Sequence, residues 1–308
     1  MASLLNTRLA KRALRPAAAL VDRRIQSRVE RAAAPLRGEL AALRRDYEDE
    51  RHSRYALELL LDGTGRGAHR MPPPAEFDRL VGQVAALAGD AAAARRSVVA
   101  AYRTVVALEA LGVGRLAGST SNVCGKLATV PLLAPPNGRI LEIGTLYGLF
   151  AAALTRMTHR AGTEPELTIV DPLAGSQLQP GTAQPADPTG TPVREDVVRA
   201  NLALTGGGTT HHPRIVRGFS GAPEVRAEAG DRSYGVIVVD GDHSGPGVAA
   251  DLEWVEEIAA PGGIVVLDDY GDAAWPGVRD ALDAHLSGGA SRLRLLGRVS
   301  TSAYLRAE

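Results

Sequence analysis

The chain has 308 residues, 45% of them hydrophobic, with 35 basic and 35 acidic side chains and a single cysteine, Cys124. That length supports one large or two ordinary domains, and one cysteine excludes an intrachain disulfide framework and fits a reducing, cytoplasmic setting. No apolar run approaches the ~20 residues of a membrane-spanning helix, and zero net charge gives no firm nucleic-acid signal.

The charge is uneven. Residues 1–38 carry nine basic and two acidic residues, a local excess of +7, which reads as a basic arm or a solvated helix. The Arg-rich, acid-poor start shares that bias with transit peptides, but its longest apolar piece, "PAAALV", is too short for a secretory core. Residues 1–112 read as helical. Leu36, Leu40, Leu43 and Tyr47 recur on one helix face, a surface for a short coiled coil or a homo-oligomer, although three clean heptads are missing. "GTGRGAHRMPPP" (63–74) reads as a loop, followed by two helices near 75–90 and 91–112. The expected division is a helical region over 1–117 and a second domain over 118–308.

From Ser119 onward short apolar runs alternate with amphipathic stretches. Strands are expected at 139–144, 166–171, 214–218, 233–240 and 262–269, with helices between them and a closing strand pair in "RLRLLGRVSTSAYLR". This rhythm predicts a doubly wound α/β sheet with helices on both faces, carrying the helical N-terminal region as an extension. A Pro/Gly/Gln-rich segment, 172–192, interrupts the rhythm after the second strand, where a long loop reads as a lid.

In such sheets ligands lie beyond the carboxyl ends of the strands, and the chemistry-bearing residues gather there. "EIGTLYG" places Glu142, Gly144 and Gly148 between the first strand and its helix. Leu146 stands where a dinucleotide fingerprint has its second glycine, which argues against NAD. Asp171 closes the second strand, at the position suited to ribose hydroxyls. Ser220, in "GFS", follows the third strand and could bond an adenine edge. Asp240 ends the fourth strand and Asp268 and Asp269 the fifth. Three carboxylates in one small volume would raise each other's pKa values unless a cation neutralised them, and an oxygen ligand set suits Mg²⁺. Asp242 reads as a cap for the helix starting near Gly247. His243, three residues past Asp240, has the ordinary pKa of a general base. His211, His212 and His285 read as structural.

At these residues the sequence resembles the class I S-adenosylmethionine-dependent methyltransferases, over roughly 118–305. "ILEIGTLYG" and "IVDPL" look like their first two motifs. The run "DGDHS…GVAADL…PGGIVVLDDY" is similar to the metal-dependent sugar O-methyltransferase branch that includes macrocin- and rhamnosyl-type enzymes, and more distantly to catechol O-methyltransferase. The resemblance implies that Glu142, Gly144, Thr145, Tyr147 and Gly148 surround the methionine part of S-adenosylmethionine, that Asp171 holds the ribose, and that Phe219 and Ser220 flank the adenine. It implies Asp240, Asp268 and Asp269 as ligands of Mg²⁺ or another divalent cation, with His243 as base. The expected reaction is Mg²⁺-dependent O-methylation of a small glycosylated or polyhydroxylated acceptor. The alternatives are a scaffold that keeps the fold without catalysis, or a hydroxylase-labelled relative of the same branch. The 172–192 segment departs from the catechol enzyme, so acceptor identity does not transfer.

Overall fold

The computed structural model describes residues 20–47, 72–175, 190–205, 212–289 and 291–308. Most of the expected 63–74 loop, the centre of the expected lid and His211 lie outside these residues. The chain forms two compact units, Met1–Leu59 and Leu60–Glu308. In the first, residues 20–47 form one helix, α1, on which Leu36, Leu40, Leu43 and Tyr47 are all exposed. Among the described residues no helix is long and apolar enough to cross a membrane.

The second unit opens with α2 (Pro74–Ala88) and α3 (Ala91–Leu111). Pro74 at the first helical position of α2 has no amide hydrogen to lose there. The turn between the helices is set by Gly89, in the left-handed conformation at φ 74°, and by Asp90, whose side chain accepts from the Ala93 amide at 2.9 Å as the cap of α3. Then follow α4 (Thr120–Thr129), β1 (Arg139–Ile143), α5 (Leu149–Arg160), β2 (Glu166–Asp171), α6 (Glu195–Leu202) and β3 (Arg214–Arg217). The chain continues through α7 (Pro223–Ala229), β4 (Tyr234–Val239), α8 (Gly245–Ile258), β5 (Ala259–Leu267), α9 (Pro276–Ser287), β6 (Leu293–Val299) and β7 (Ser302–Ala307).

The sheet order is β3-β2-β1-β4-β5-β7-β6. Strands β1 to β5 pair in parallel, and β7 lies antiparallel to β5 and β6. Side chains alternate across the sheet because the strand period is two. Ile140, Val236, Val238, Ile264 and Val266 face one core, shared with Leu80, Val98, Val105, Leu127 and Leu154 of α2 to α5. Leu141, Ile237, Val239, Val265 and Leu267 face the other, shared with Val225, Leu252 and Leu282 of α7 to α9. Both faces are therefore buried, which explains strands that read as continuous apolar runs. This is the doubly wound sheet the sequence predicts.

Three local features differ from expectation. Helix α4 was not anticipated, because "TSNVCGKLAT" mixes small, β-branched and polar residues; Ser119 caps it, accepting from the Asn122 amide at 3.2 Å. Helix α7 has seven residues, too few to display a period. Strand β5 starts at Ala259, three residues before the expected 262, and ends at Leu267, short of the expected 269.

Candidate active site

After β1 the chain turns outward to β2 and β3, then crosses back to β4 and β5, so the strand order reverses between β1 and β4. Their carboxyl ends diverge there and leave a crevice. A cavity of about 450 Å³ opens at this point, within the range for small-molecule sites.

One wall is the turn after β1. Gly144 has φ 84°, and a Cβ there would overlap the Asp240 carbonyl, so only glycine lets β1 and β4 exit side by side. Asp171 organises this turn. Its Oδ2 accepts from the Thr145 and Leu146 amides at 2.7 and 3.3 Å, and its Oδ1 from the Leu173 amide at 2.7 Å. The carboxylate expected to hold a ribose thus also sets the backbone around it. Glu142 is buried with no partner for its Oε2. Burial pushes its pKa up to about 8, with Asp240 and Asp171 adding to the rise against the opposing Thr145 bond and Lys126 charge.

Glu142, Gly144, Thr145, Asp171, Phe219, Ser220, Asp240 and His243 all line the cavity. Tyr147 and Gly148 do not. Tyr147 turns into the core, where its hydroxyl donates to the Thr191 carbonyl at 2.8 Å, and Gly148 is the N-cap of α5. Asp242 accepts from the Ser244 amide at 2.7 Å, while Ser244 is the residue that caps α8, accepting from the Gly247 amide at 3.2 Å.

The acidic cluster divides in two. His243 Nε2 lies 3.2 Å from Asp269 Oδ2 and 3.6 Å from Asp240 Oδ1, with its ring stacked on Trp275 at 4.8 Å between centroids. Asp269 reaches this position from a left-handed backbone, φ 56°. That turn sends consecutive carboxylates in different directions, because Asp268 points the other way. Its Oδ1 accepts from Asn122 Nδ2 and Ser302 Oγ, each at 2.7 Å, and its Oδ2 is ion-paired with Lys126. Lys126 Nζ also stands 3.3 Å from Asp240 Oδ2 and 4.8 Å from the centre of the Phe150 ring.

Lys126 and Asn122 come from α4 and were missed from sequence. One signal was present: Lys126 is one of two lysines among the 35 basic residues. A lysine brings a compact ammonium, where an arginine would bring a planar fork. It supplies inside the protein the positive charge that the acidic cluster demands. Burial opposes ionisation of Asp268, but Lys126 and the Asn122 bond hold its pKa well below the usual carboxylate range. Lys126 is held charged by Asp268 and Asp240 against its own burial. Burial and the Asp268 charge push Asp240 up to about 6, against the pull of Lys126 and His243. His243 would be lowered by burial, yet Asp240 and Asp269 push it up to about 10. In this arrangement the imidazole carries a proton at neutral pH.

One ligand atom from each of Asp240, His243 and Asp269 lies within 4.8 Å of the others. The side chain of His243 is 9% exposed, and neither ring nitrogen has a hydrogen bond of good geometry. The two carboxylates suit a divalent cation. Asp268, with both oxygens engaged, is turned away from them.

Residues 141–270 match a family model described as a methyltransferase domain. No curated protein matches the chain in sequence. Among solved structures, it is similar to the O-methyltransferase NovP at 17% identity, over 75% of this chain and 99% of that one, with a TM-score of 0.46. CalS11, a TDP-rhamnose 3'-O-methyltransferase of calicheamicin biosynthesis, is 19% identical over 77% and 96%, with a TM-score of 0.45. TomG, an O-methyltransferase from Streptomyces achromogenes solved with S-adenosylmethionine, is 20% identical over 68% and 88%, with a TM-score of 0.42.

Proposed function

We propose that the methyltransferase domain moves the methyl group of S-adenosylmethionine to a hydroxyl of a small glycosylated or polyhydroxylated acceptor, with help from a divalent cation such as Mg²⁺. The observation that carries this reading is the meeting, in one cavity, of the Gly144 turn and Asp171 with the Asp240–His243 pair. The first two suit a nucleoside donor and the second pair suits activation of a hydroxyl.

The Gly144 turn leaves room for the methionine part of the donor close to the backbone, and Asp171 stands at the strand end suited to ribose hydroxyls. Phe219, 64% exposed beside the cavity, and Ser220 offer a flat face and a polar edge for the adenine. Asp240 and Asp269 would hold the cation, leaving the His243 imidazole beside them to handle the proton. When bound, such an ion lowers the pKa of a hydroxyl and positions it. Asp268 anchors Lys126 beside Asp240 and thereby fixes the Asp240 carboxylate. His243 is the proton-handling group: the negative charge of Asp240 and Asp269 keeps it protonated, so it acts as a base only where that charge is compensated. Alignment of hydroxyl and methyl group in a shaped cavity supplies much of the acceleration.

The test is calorimetry with S-adenosylhomocysteine and NAD, followed by mass spectrometry of sugar and polyol acceptors incubated with S-adenosylmethionine and Mg²⁺. Binding of the adenosyl ligand, no binding of NAD, and a product 14 mass units heavier are expected on replacing hydrogen by methyl. Tight NAD binding without adenosyl binding would refute the reading. A binding protein without turnover on any acceptor would favour the non-catalytic scaffold.

A further inference from the structure

On helix α1 the apolar stripe of Leu36, Leu40, Leu43 and Tyr47 extends toward the N-terminus through Val21, Ile25 and Val29, and each of these side chains is at least 50% exposed. At 100° per residue they fall within a sector of roughly 100°, along a helix about 42 Å long. An exposed apolar stripe of that length marks an interaction surface. The helix also runs through Pro35 and Gly38, two residues that weaken an isolated helix. Packing of the stripe against another surface therefore has to contribute to its stability.

The charges beside the stripe identify that surface. Arg28 and Glu39 border one edge, and Asp22 and Arg44 the other, with Glu30 and Arg37 further out on the same side. In an antiparallel helix pair, residues on the same edge of the two copies face each other. A two-fold axis that crosses α1 within one residue of Ala34 sets Val21 against Tyr47, Ile25 against Leu43 and Val29 against Leu40. The same axis sets Arg28 against Glu39, Asp22 against Arg44 and Glu30 against Arg37, an acid opposite a base each time. A parallel, in-register pair would instead bring each charge level with its own copy. Arg28 carries the point furthest. Three and four positions from it on its own helix stand Arg24, Ile25, Arg31 and Ala32, so the charged neighbours there are basic. An anionic membrane fits less well, because Asp22 and Glu39 flank the stripe and would be pressed against like charge.

We propose that α1 pairs with α1 of a second copy of this chain, antiparallel, and that Arg28 and Glu39 set the register. Opposite charges at the edges of an apolar seam select the partner and its orientation.

Sedimentation equilibrium of the full chain at low salt measures the association. We expect a dimer, which Leu40→Asp with Leu43→Asp should return to monomer. Glu39→Arg should weaken the dimer about 5- to 30-fold, because an attraction becomes a repulsion at two equivalent sites. Adding Arg28→Glu in the same chain should restore it. Residues 28 and 39 lie about 17 Å apart along one helix, so this rescue works only between copies. Disulfide trapping reads the orientation, since the native Cys124 is buried. Val21→Cys and Tyr47→Cys proteins should cross-link when mixed and not alone, identical positions being about 39 Å apart in an antiparallel pair. Cross-linking of Val21→Cys with itself would make the helices parallel and overturn the proposal. So would a Glu39→Arg dimer that Arg28→Glu does not rescue, or a dimer unmoved by the two leucine substitutions. A wild type still monomeric at about 100 μM would overturn it as well, and binding of that monomer to phosphatidylserine vesicles would give the stripe to a membrane surface.

Discussion

Glu142 offers the sharpest test of the electrostatics. Its carboxyl is 1% exposed, and burial raises its pKa from 4.5 to about 8. The folded protein therefore binds this proton more tightly than the unfolded chain does. Below pH 4.5 the group is protonated in both states and contributes no difference. Between pH 4.5 and 8 the unfolded chain releases the proton while the folded protein retains it or pays to release it, so stability falls as pH rises. Above pH 8 both states are ionised and the loss is complete. A difference of about 3.5 pKa units at 1.36 kcal/mol each gives about 5 kcal/mol as the upper bound. Glu142→Gln removes the titration and preserves the shape. Urea unfolding of both proteins, run with EDTA at pH 5, 7 and 8.5, cancels the titrations that the two proteins share. The variant should gain on the wild type steadily across that range, by several kcal/mol between the extremes. A difference between the two proteins that is flat with pH, or that shrinks as pH rises, would show that Glu142 is not held neutral by burial.

The remaining predictions concern the cluster at the strand ends. EDTA should abolish methyl transfer and Mg²⁺ restore it while S-adenosylhomocysteine still binds; full turnover in EDTA would remove the cation from the reaction. His243→Ala should slow turnover by ~10²–10⁴-fold, with adenosyl binding kept, and unchanged turnover would reduce the residue to strand-end architecture. Lys126→Met leaves Asp268 buried without its cation and should destabilise the fold by about 3–5 kcal/mol; Lys126→Met with Asp268→Asn should recover part of that loss. A single variant within about 1 kcal/mol of wild type in chemical denaturation would show that the pair adds little.

Much of the architecture was legible because its signals are local. A strand buried on both faces must be a short apolar run, as in "GVIVV", and a crossover helix must show its period, so the parallel sheet followed from the sequence alone. Gly144 was legible as the glycine of a tight turn after β1, but the Asp240 carbonyl that leaves no room for its Cβ is a fact of tertiary packing. The proximity of Asp240, His243 and Asp269 was legible only on the condition that β4 and β5 are neighbours, which the sheet order supplies.

What the sequence could not decide is where a side chain finds its partner across the fold. Asp268 and Asp269 are neighbours in the chain, yet a left-handed backbone at Asp269 sends one toward His243 and leaves the other with α4. The cation that satisfies Asp268 comes from Lys126, 142 positions earlier, in a helix whose mixed composition gave no period. Helices α2 and α3 share a core with the sheet through Leu80, Val98 and Val105, a fact of packing that their amphipathic pattern leaves open. Nothing in the sequence sets Asp251 apart from the other acids of α8, yet in the fold it is buried where α8 meets the Ser220 loop. Periodicity reports which face of an element is buried. The three-dimensional meeting of those faces decides which charges neutralise one another, and therefore which remain for a ligand.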